Sequence, residues 1–337
     1  MMSGPREVEI IGGGLAGLSL GIGLRLRGIP VAIREAGHYP RHRVCGEFIT
    51  ALDDATKTAL HLAEPLREAR EARGVVWHEP GRPTLRHRLP EPALCLSRHR
   101  LDAALAQTFV SLGGELETGS RREALPRDGR ILACGHRPAP GSPWMGLKQH
   151  FRGLHLEDDL ELHLGRDAYV GLTRVDDDTV NVCGLFSRRG GGGALLEKCR
   201  QAGLDQLADR LHEAHPDEGS RCAVAGLDYR APRAPRGVVM LGDAGGLIPP
   251  FTGHGMTVAW QSAALALPHV IAWSEGMTDW PTASVRIARD AARRFRRRLI
   301  LGRSLHAWVL RPAGRRGLHF LHRAGLLPFH PLYRLLH

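Results

Sequence analysis

The stretch EIIGGGLAGLSL, residues 9–20, decides the fold. It places Gly12, Gly14 and Gly17 in the spacing G-x-G-x-x-G, after the apolar run 8–11 and at the start of an apolar segment of helical length, 15–27. In such a turn Gly12 permits the tight reversal, Gly14 lets a pyrophosphate approach the backbone, and Gly17 lets helix and strand pack closely. The helix start, with Leu15 and Ala16 in its first turn, offers free N–H groups and a positive dipole end to the phosphates. After Pro30 a second strand, 31–35, ends in Glu35, whose carboxylate can accept from ribose hydroxyls and would repel a 2′-phosphate. Together these pieces form a βαβ unit of about thirty residues, the size of a parallel crossover. A glycine turn without a ligand is the bland alternative; strand, helix and terminal acid in the correct order favour dinucleotide binding.

The kind of dinucleotide is decided far downstream, at GVVMLGDAGGLIPPFTGHGMTVAW, residues 237–260. Here Gly242 and Asp243 follow a strand, 238–241, and precede a loop carrying Pro249, Pro250, Gly253 and His254. That loop opens a long helix near Gly255 and Met256 that is predicted to run to about residue 274. An aspartate so placed can bind a polyol hydroxyl, and the helix N–H groups can stabilise negative charge at the pyrimidine edge of a reduced flavin. Nicotinamide has no ribityl chain to need the first feature, so the two distant segments together point to FAD.

The rest of the chain frames these two segments. A helix is expected over 101–112 and a strand over 131–134, while 160–164, 168–174 and 179–186 are short runs separated by turns, the pattern of an antiparallel meander. The predicted fold class is α/β: a Rossmann-like dinucleotide-binding domain assembled from 1–75, 95–140 and 232–280, an antiparallel β-rich substrate domain from 76–94 and 141–231, and a basic helical C-terminus, 281–337. The run 190–193 reads as a glycine loop and not a phosphate cradle, because no strand-to-helix context or lysine accompanies it.

Charge is concentrated at one end. Residues 281–337 hold thirteen arginines against Asp290 alone, whereas the whole chain carries only +11, so the preceding 280 residues are close to neutral. That distribution argues against a nucleic-acid binder and marks the C-terminal segment as a candidate contact for an anionic membrane surface or an acidic carrier protein. The bland reading is a solvated helical layer. No run of eighteen uncharged apolar residues and no leader pattern is present, so a cytoplasmic location is expected, with peripheral membrane docking through the tail as the variant. The six cysteines lie far apart with no CxxC pair, and most are expected to be buried small apolar residues. The histidines show no metal-ligand spacing, so no metal is expected, and no GxSxG marks a hydrolase.

These residues resemble the flavoprotein superfamily of para-hydroxybenzoate hydroxylase, geranylgeranyl reductases and flavin-dependent halogenases. The likeness rests on Gly12, Gly14, Gly17 and Glu35, on Arg98 with Leu101–Asp102, and on Gly242, Asp243, Pro249, Pro250, Gly253 and Gly255, a coverage of about residues 8–260. The resemblance implies that Arg98, at a helix start, helps to hold the FAD phosphate and ribityl region. It also implies that the segment from Arg43 to Glu47 passes beside the flavin, with Cys45–Gly46 similar to the geranylgeranyl reductases. Cys45 is a candidate proton donor or flavin-tuning group, packing being the equal alternative. His254, between two loop glycines, is a candidate to reach flavin or substrate, and otherwise covers the loop.

Two departures narrow the chemistry. Hydroxylases of the superfamily carry an Asp-Gly pair linked to NADPH use after the strand near residue 131, where this chain reads Leu132-Ala133-Cys134-Gly135. NAD(P)H therefore stays only a candidate transient reductant. Halogenases carry a Trp-x-Trp-x-Ile-Pro segment that is absent here, and Lys148, as an isolated lysine, is expected at the surface. The expected function is an FAD-dependent oxidoreductase acting on a hydrophobic small molecule, with hydroxylation of an aromatic or polyketide-like compound slightly ahead of carbon–carbon double-bond reduction. A non-catalytic FAD-binding partner subunit is the alternative from another class.

Overall fold

The computed structural model describes residues 4–123, 125–188, 191–230, 235–324 and 326. The chain opens with β1 (Val8–Ile11), α1 (Leu15–Arg25) and β2 (Val31–Arg34), followed by β3 (Phe48–Ile49), α2 (Asp54–Ala59), β4 (Arg70–His78) and β5 (Leu85–Cys95). Next come α3 (Arg98–Ser111), β6 (Glu115–Glu117), β7 (Arg130–Leu132), β8 (Trp144–Arg152), β9 (Leu160–Gly165), β10 (Ala168–Arg174) and β11 (Thr179–Ser187). The last part holds α4 (Leu195–Gln201), α5 (Asp205–Glu213), β12 (His215–Ala225), β13 (Val239–Met240), α6 (Gly255–Ser274), α7 (Trp280–Leu310) and α8 (Pro312–Arg323).

Two sheets result. The first is parallel, in the order β13-β7-β1-β2-β6, with Ile10 of β1 opposite Ile33 of β2 and Ile131 of β7. Its central strand is followed by α1, every residue of which from Leu15 to Leu24 is buried, because α3 and α6 pack around it. Leu18, Ile22, Phe109 and Trp260 fill that core. The expected α/β crossover, the helix from Gly255 and the antiparallel order of β9, β10 and β11 are all present.

The second sheet runs β12-β8-β11-β10-β9-β4-β5-β3 and is antiparallel except where β4 pairs with β9. Successive side chains of a strand point to opposite faces, and here both faces are covered. Ala168, Val170 and Leu172 of β10, with Val180, Val182 and Phe186 of β11, pack into the cluster formed with α4 and α5. Tyr169, Gly171 and Thr173, with Cys183 and Leu185, face the other way, into a cavity.

That cavity is roofed by α7. At a rise of 1.5 Å per residue its 31 residues span about 46 Å, so it starts with Trp280 against Trp273 of α6 and ends with Val309 and Leu310 packed over the second sheet. Asp279 caps its start by accepting from the Thr282 N–H at 2.8 Å. Among the described residues no helix is long and apolar enough to cross a membrane.

Candidate functional site

The cavity, about 1000 Å³, lies between the two sheets and reaches from the glycine turn to α7 and α8. Its floor is the turn after β1. Gly12 has φ +109°, and a Cβ there would sit 2.3 Å from the carbonyl oxygen of Ala133. A Cβ on Gly17 would sit 2.1 Å from the Gly12 carbonyl oxygen. Both are thus glycines for packing, and Gly17 does not line the cavity. Gly14 differs: a Cβ would meet nothing within 4 Å, and the residue faces the cavity with Leu15 and Ala16. It is also the N-cap of α1 and provides no side-chain cap, which leaves first-turn N–H groups for a ligand.

Glu35 is 4 % exposed and lines the same end. Its carboxylate accepts from the Gly13 and Gly37 N–H groups, each at 2.8 Å, and faces the guanidiniums of Arg41 at 3.1 Å and Arg43 at 3.7 Å. Glu35, expected as an acceptor for ribose hydroxyls, also ties the loop behind the turn. Two oxygens carry about four lone-pair positions, so acceptor capacity remains.

Arg43 and Arg98 both line the cavity and share Asp102, which is fully buried. Arg98 grips it with two bonds of 2.7 and 2.8 Å, and Arg43 Nε donates to it at 2.9 Å. Burial opposes the charge on Arg98, but Asp102 more than offsets it and holds the guanidinium above its ordinary range. Arg43 is pulled down, first by burial and then by Arg98. Ser97 caps α3 by accepting from the His99 N–H, which sets Arg98 at the first helical position.

Cys45 and Gly46 follow on the wall. Asn181 Nδ2 donates to the Cys45 carbonyl at 2.9 Å and so pins the segment to β11. Burial pushes the thiol up, against the pull of Arg98, so it stays protonated. Behind it stands a polar cluster that sequence reasoning missed. Glu47 is fully buried at φ +54°; it accepts from the Arg98 N–H at 2.8 Å and lies 2.7 Å from His150 Nε2. Lys148, expected at the surface, is instead 1 % exposed, 3.8 Å from Glu47 and 2.9 Å from His42 Nδ1. The reason is register: β8 is an interior strand, and Lys148 sits between Cys183 and Cys222 on its neighbours. Burial pulls the Lys148 ammonium down, with Glu47 opposing, and burial followed by Lys148 pushes His42 down to about 4.

The far segment meets this wall. Gly242 donates its N–H to Ser262 Oγ at 2.9 Å, which anchors the loop on α6. Asp243 is raised by burial, with Arg98 and His136 opposing, and its carboxylate has no hydrogen-bond partner among the described residues. Gly253, His254, Gly255 and Met256 line the cavity, and His254 gives α6 no side-chain cap. Pro249 does not line it; Pro250 does, while Pro249 Cδ lies against Gly302 of α7. Cysteines depart from expectation as well: Cys95 and Cys199 are buried filler, but Cys45, Cys134, Cys183 and Cys222 all line the cavity.

Among the described residues two groups of potential metal ligands, His42/His150/Asp217 and His78/Glu161/His163, lie outside the glycine-rich segments. In the first, His42 Nδ1 lies 2.9 Å from Lys148 Nζ and His150 Nε2 lies 2.7 Å from Glu47; in the second, Arg210 donates to both oxygens of Glu161 at 2.9 and 3.1 Å. The remainder of the cavity is apolar, walled by Trp77, Leu162, Tyr169, Phe251, Trp308 and Leu318.

No protein-family model matches the chain, and no curated protein matches it by sequence. Solved structures do. The flavin-dependent brominase Bmp2 superposes with a TM-score of 0.75 at 18% identity, over 99% of this chain and 93% of that one. A geranylgeranyl bacteriochlorophyll reductase-like protein from Thermoplasma acidophilum gives 0.71 at 16% identity, over 90% and 88%. PqsL from Pseudomonas aeruginosa, described as a probable FAD-dependent monooxygenase, gives 0.69 at 16% identity, over 94% and 99%. The chain therefore shares its fold with these three solved proteins.

Proposed function

We propose that the protein is an FAD-dependent oxidoreductase that hydroxylates a planar apolar organic molecule. The observation that carries this reading is one continuous cavity with two chemically different ends. Uncapped helix N-termini, Glu35 and Asp243 lie at one end, and an apolar, aromatic-walled chamber at the other. The residues fit the cofactor: Gly14 leaves open space where a pyrophosphate needs the backbone, and Asp243 is an unpaired acceptor for a polyol hydroxyl. In this reading α1 and Arg98 hold the phosphates, Glu35 the adenosine ribose, and Cys45–Gly46 passes the ring.

Bound and reduced, FAD supplies the electrons with which dioxygen is split, one oxygen atom entering the substrate and the other leaving as water. The chain's own part is to exclude water, which the apolar walls and α7 do, and to orient the substrate. NAD(P)H is the proposed transient reductant. Double-bond reduction is the second reading, favoured by one observation: Cys45 presents a protonated thiol at the cavity wall, able to donate a proton to a substrate carbon.

The test is to purify the protein, identify the released flavin, photoreduce the holoprotein and follow product from candidate substrates with and without oxygen, for wild type and Cys45→Ser. Oxygen-dependent product retained in the variant supports hydroxylation. Oxygen-independent saturation that Cys45→Ser abolishes replaces hydroxylation with reduction. Colourless protein that cannot be reconstituted with FAD removes both readings.

A further inference from the structure

A charged side chain is kept inside a protein only where partners offset its lost hydration. Lys148 is such a group, and neither chemistry above gives it a task. Its contact with His42 runs one way. An ammonium donates and cannot accept, so the 2.9 Å contact from Lys148 Nζ makes His42 Nδ1 the acceptor and leaves the imidazole proton on Nε2. The two nitrogens stand on different edges of the ring. Nδ1 is turned to the lysine, whereas Nε2 has no hydrogen-bond partner among the described residues and keeps accessible surface. His42 is half-buried and lines the cavity, as do Arg43, Cys45, Cys183 and Cys222.

The surroundings hold the pair in this state. Lys148 stands between Cys183 and Cys222 in register, and those two thiols, with that of Cys45, are near enough to act on it. Glu47, just before β3, lies 3.8 Å away and supplies the counter-charge. His42 meets Lys148 and Glu47, the stacked ring of His99 at 4.3 Å and the edge-on ring of His150 at 5.0 Å. Burial and Lys148 keep its imidazole neutral. On the outer side Asp217, which is exposed, has an oxygen within 4.8 Å of a His42 ring nitrogen, a gap that water can bridge. A metal on His42 Nε2 would put the ring proton on Nδ1, facing an ammonium that cannot accept it.

Both chemistries need a proton from the protein. Turning dioxygen and a C–H bond into C–OH and water takes two electrons and two protons, and so does turning C=C into CH–CH. Reduced flavin bound as an anion brings two electrons and one proton, so each turnover draws one proton more.

We propose that His42 gives its Nε2 proton to the flavin end of the cavity while its Nδ1 takes one from Lys148, the buried reservoir behind it. This rests on the FAD-oxidoreductase reading and applies to either chemistry; in double-bond reduction the acceptor is the Cys45 thiolate left after donation. The Nζ–H bond breaks as the Nδ1–H bond forms, so His42 stays neutral and Lys148 becomes an amine. Between turnovers water beside Asp217 returns a proton to Nε2, and Nδ1 passes its own back to Lys148.

The test has two arms. In flavin-free protein with isotope-labelled histidine, NMR signals of the ring nitrogens are assigned to His42 by their loss in His42→Ala. The expected result is an Nε2–H tautomer at neutral pH and a titration that rises in Lys148→Met, because the facing charge is gone. In the second arm FAD-loaded protein is photoreduced without oxygen and then mixed with it. Reoxidation to hydrogen peroxide needs the same extra proton and no substrate. His42→Ala and Lys148→Met are expected to slow it at least about tenfold, while His99→Ala, which loses only the stacked ring, stays within about twofold. Added imidazole is expected to restore His42→Ala. An Nδ1–H tautomer, a His42 titration unmoved by Lys148→Met, reoxidation unchanged in His42→Ala, or a slowed His42→Ala that imidazole does not restore overturns the proposal. Protein that retains no FAD overturns the FAD reading beneath it, a failure read from flavin content and distinct from failure of the NMR arm.

Discussion

At the scale of single residues, the three glycines of the first turn do different work, and substitution separates them. Gly12→Ala forces a Cβ against the Ala133 carbonyl oxygen at a φ that alanine rarely adopts. It is expected to cost about 3 kcal/mol or more and to lower the melting temperature with or without FAD. Gly14→Ala meets nothing in the protein. Its melting temperature without cofactor should match wild type while FAD affinity falls at least about tenfold, by clash with the pyrophosphate. Thermal melts of stripped and reconstituted protein check both. His306 yields a pH prediction with a definite sign. Its folded value of about 4 lies below the ordinary histidine value, so between those limits the unfolded chain binds more protons. The stability it confers is complete above about pH 6.5 and is lost as pH falls towards 4. Wild type should lose about 2 kcal/mol more than His306→Phe between pH 7 and pH 5 in denaturant titrations.

At the scale of elements, the C-terminal helices are held by ion pairs as well as by their apolar faces. Arg315 of α8 is buried, donates to Glu79 at 2.9 Å and to the Gly165 carbonyl at 2.8 Å, and so joins α8 to the end of β4 and to β9. Glu79 is also met by Arg82 and His319. Arg315→Ala strips the strongest of these contacts from a mostly buried carboxylate and is expected to cost about 3 kcal/mol. Because α8 supplies Leu318 to the cavity wall, substrate affinity should fall with stability while FAD content holds. Calorimetric melting and flavin-to-protein ratios measure the two separately.

At the scale of the whole molecule, the arginines of the basic tail divide into those with structural partners and those exposed on the helix surfaces. Arg294 pairs with Asp53 and buried Arg298 donates to Gln261, whereas Phe320 and Ile300 stand 69 % and 52 % exposed among the remaining cations. Those exposed groups lie on α7 and α8, the helices that wall the cavity through Trp308 and Leu318, which puts a docking face beside a chamber for apolar substrate. Docking to an anionic membrane is proposed on that ground, each surface arginine contributing about 1 kcal/mol. Protein should cosediment with anionic vesicles in low salt, release in high salt, and lose binding when Arg311, Arg316 and Arg323 are changed to glutamine; binding indifferent to salt and to these changes counts against it. Residues 327–337, including Leu327 of the apolar patch read from the sequence, lie outside the described residues, as does Gly190 of the glycine run.

The two glycine-rich segments were legible because their chemistry is local. A G-x-G-x-x-G turn between strand and helix, an acid at the end of the next strand, and GDA before a proline loop are each readable from neighbours in the chain. The antiparallel run through β9, β10 and β11 was legible for the same reason, since turn residues and apolar runs alternate along it. What the tertiary structure alone decided is which distant side chains share an interior. Nothing near Lys148 announces that β8 lies between β11 and β12, so that its ammonium is enclosed with Glu47 and His42. Likewise His306 looks like one of many residues on an arginine-rich helix until a span of about 46 Å carries it over the second sheet, where Tyr229 and Phe251 close around it. Sequence periodicity reports which face of an element is buried, but not against what, and the chemistry of a buried polar group is set by what it is buried against.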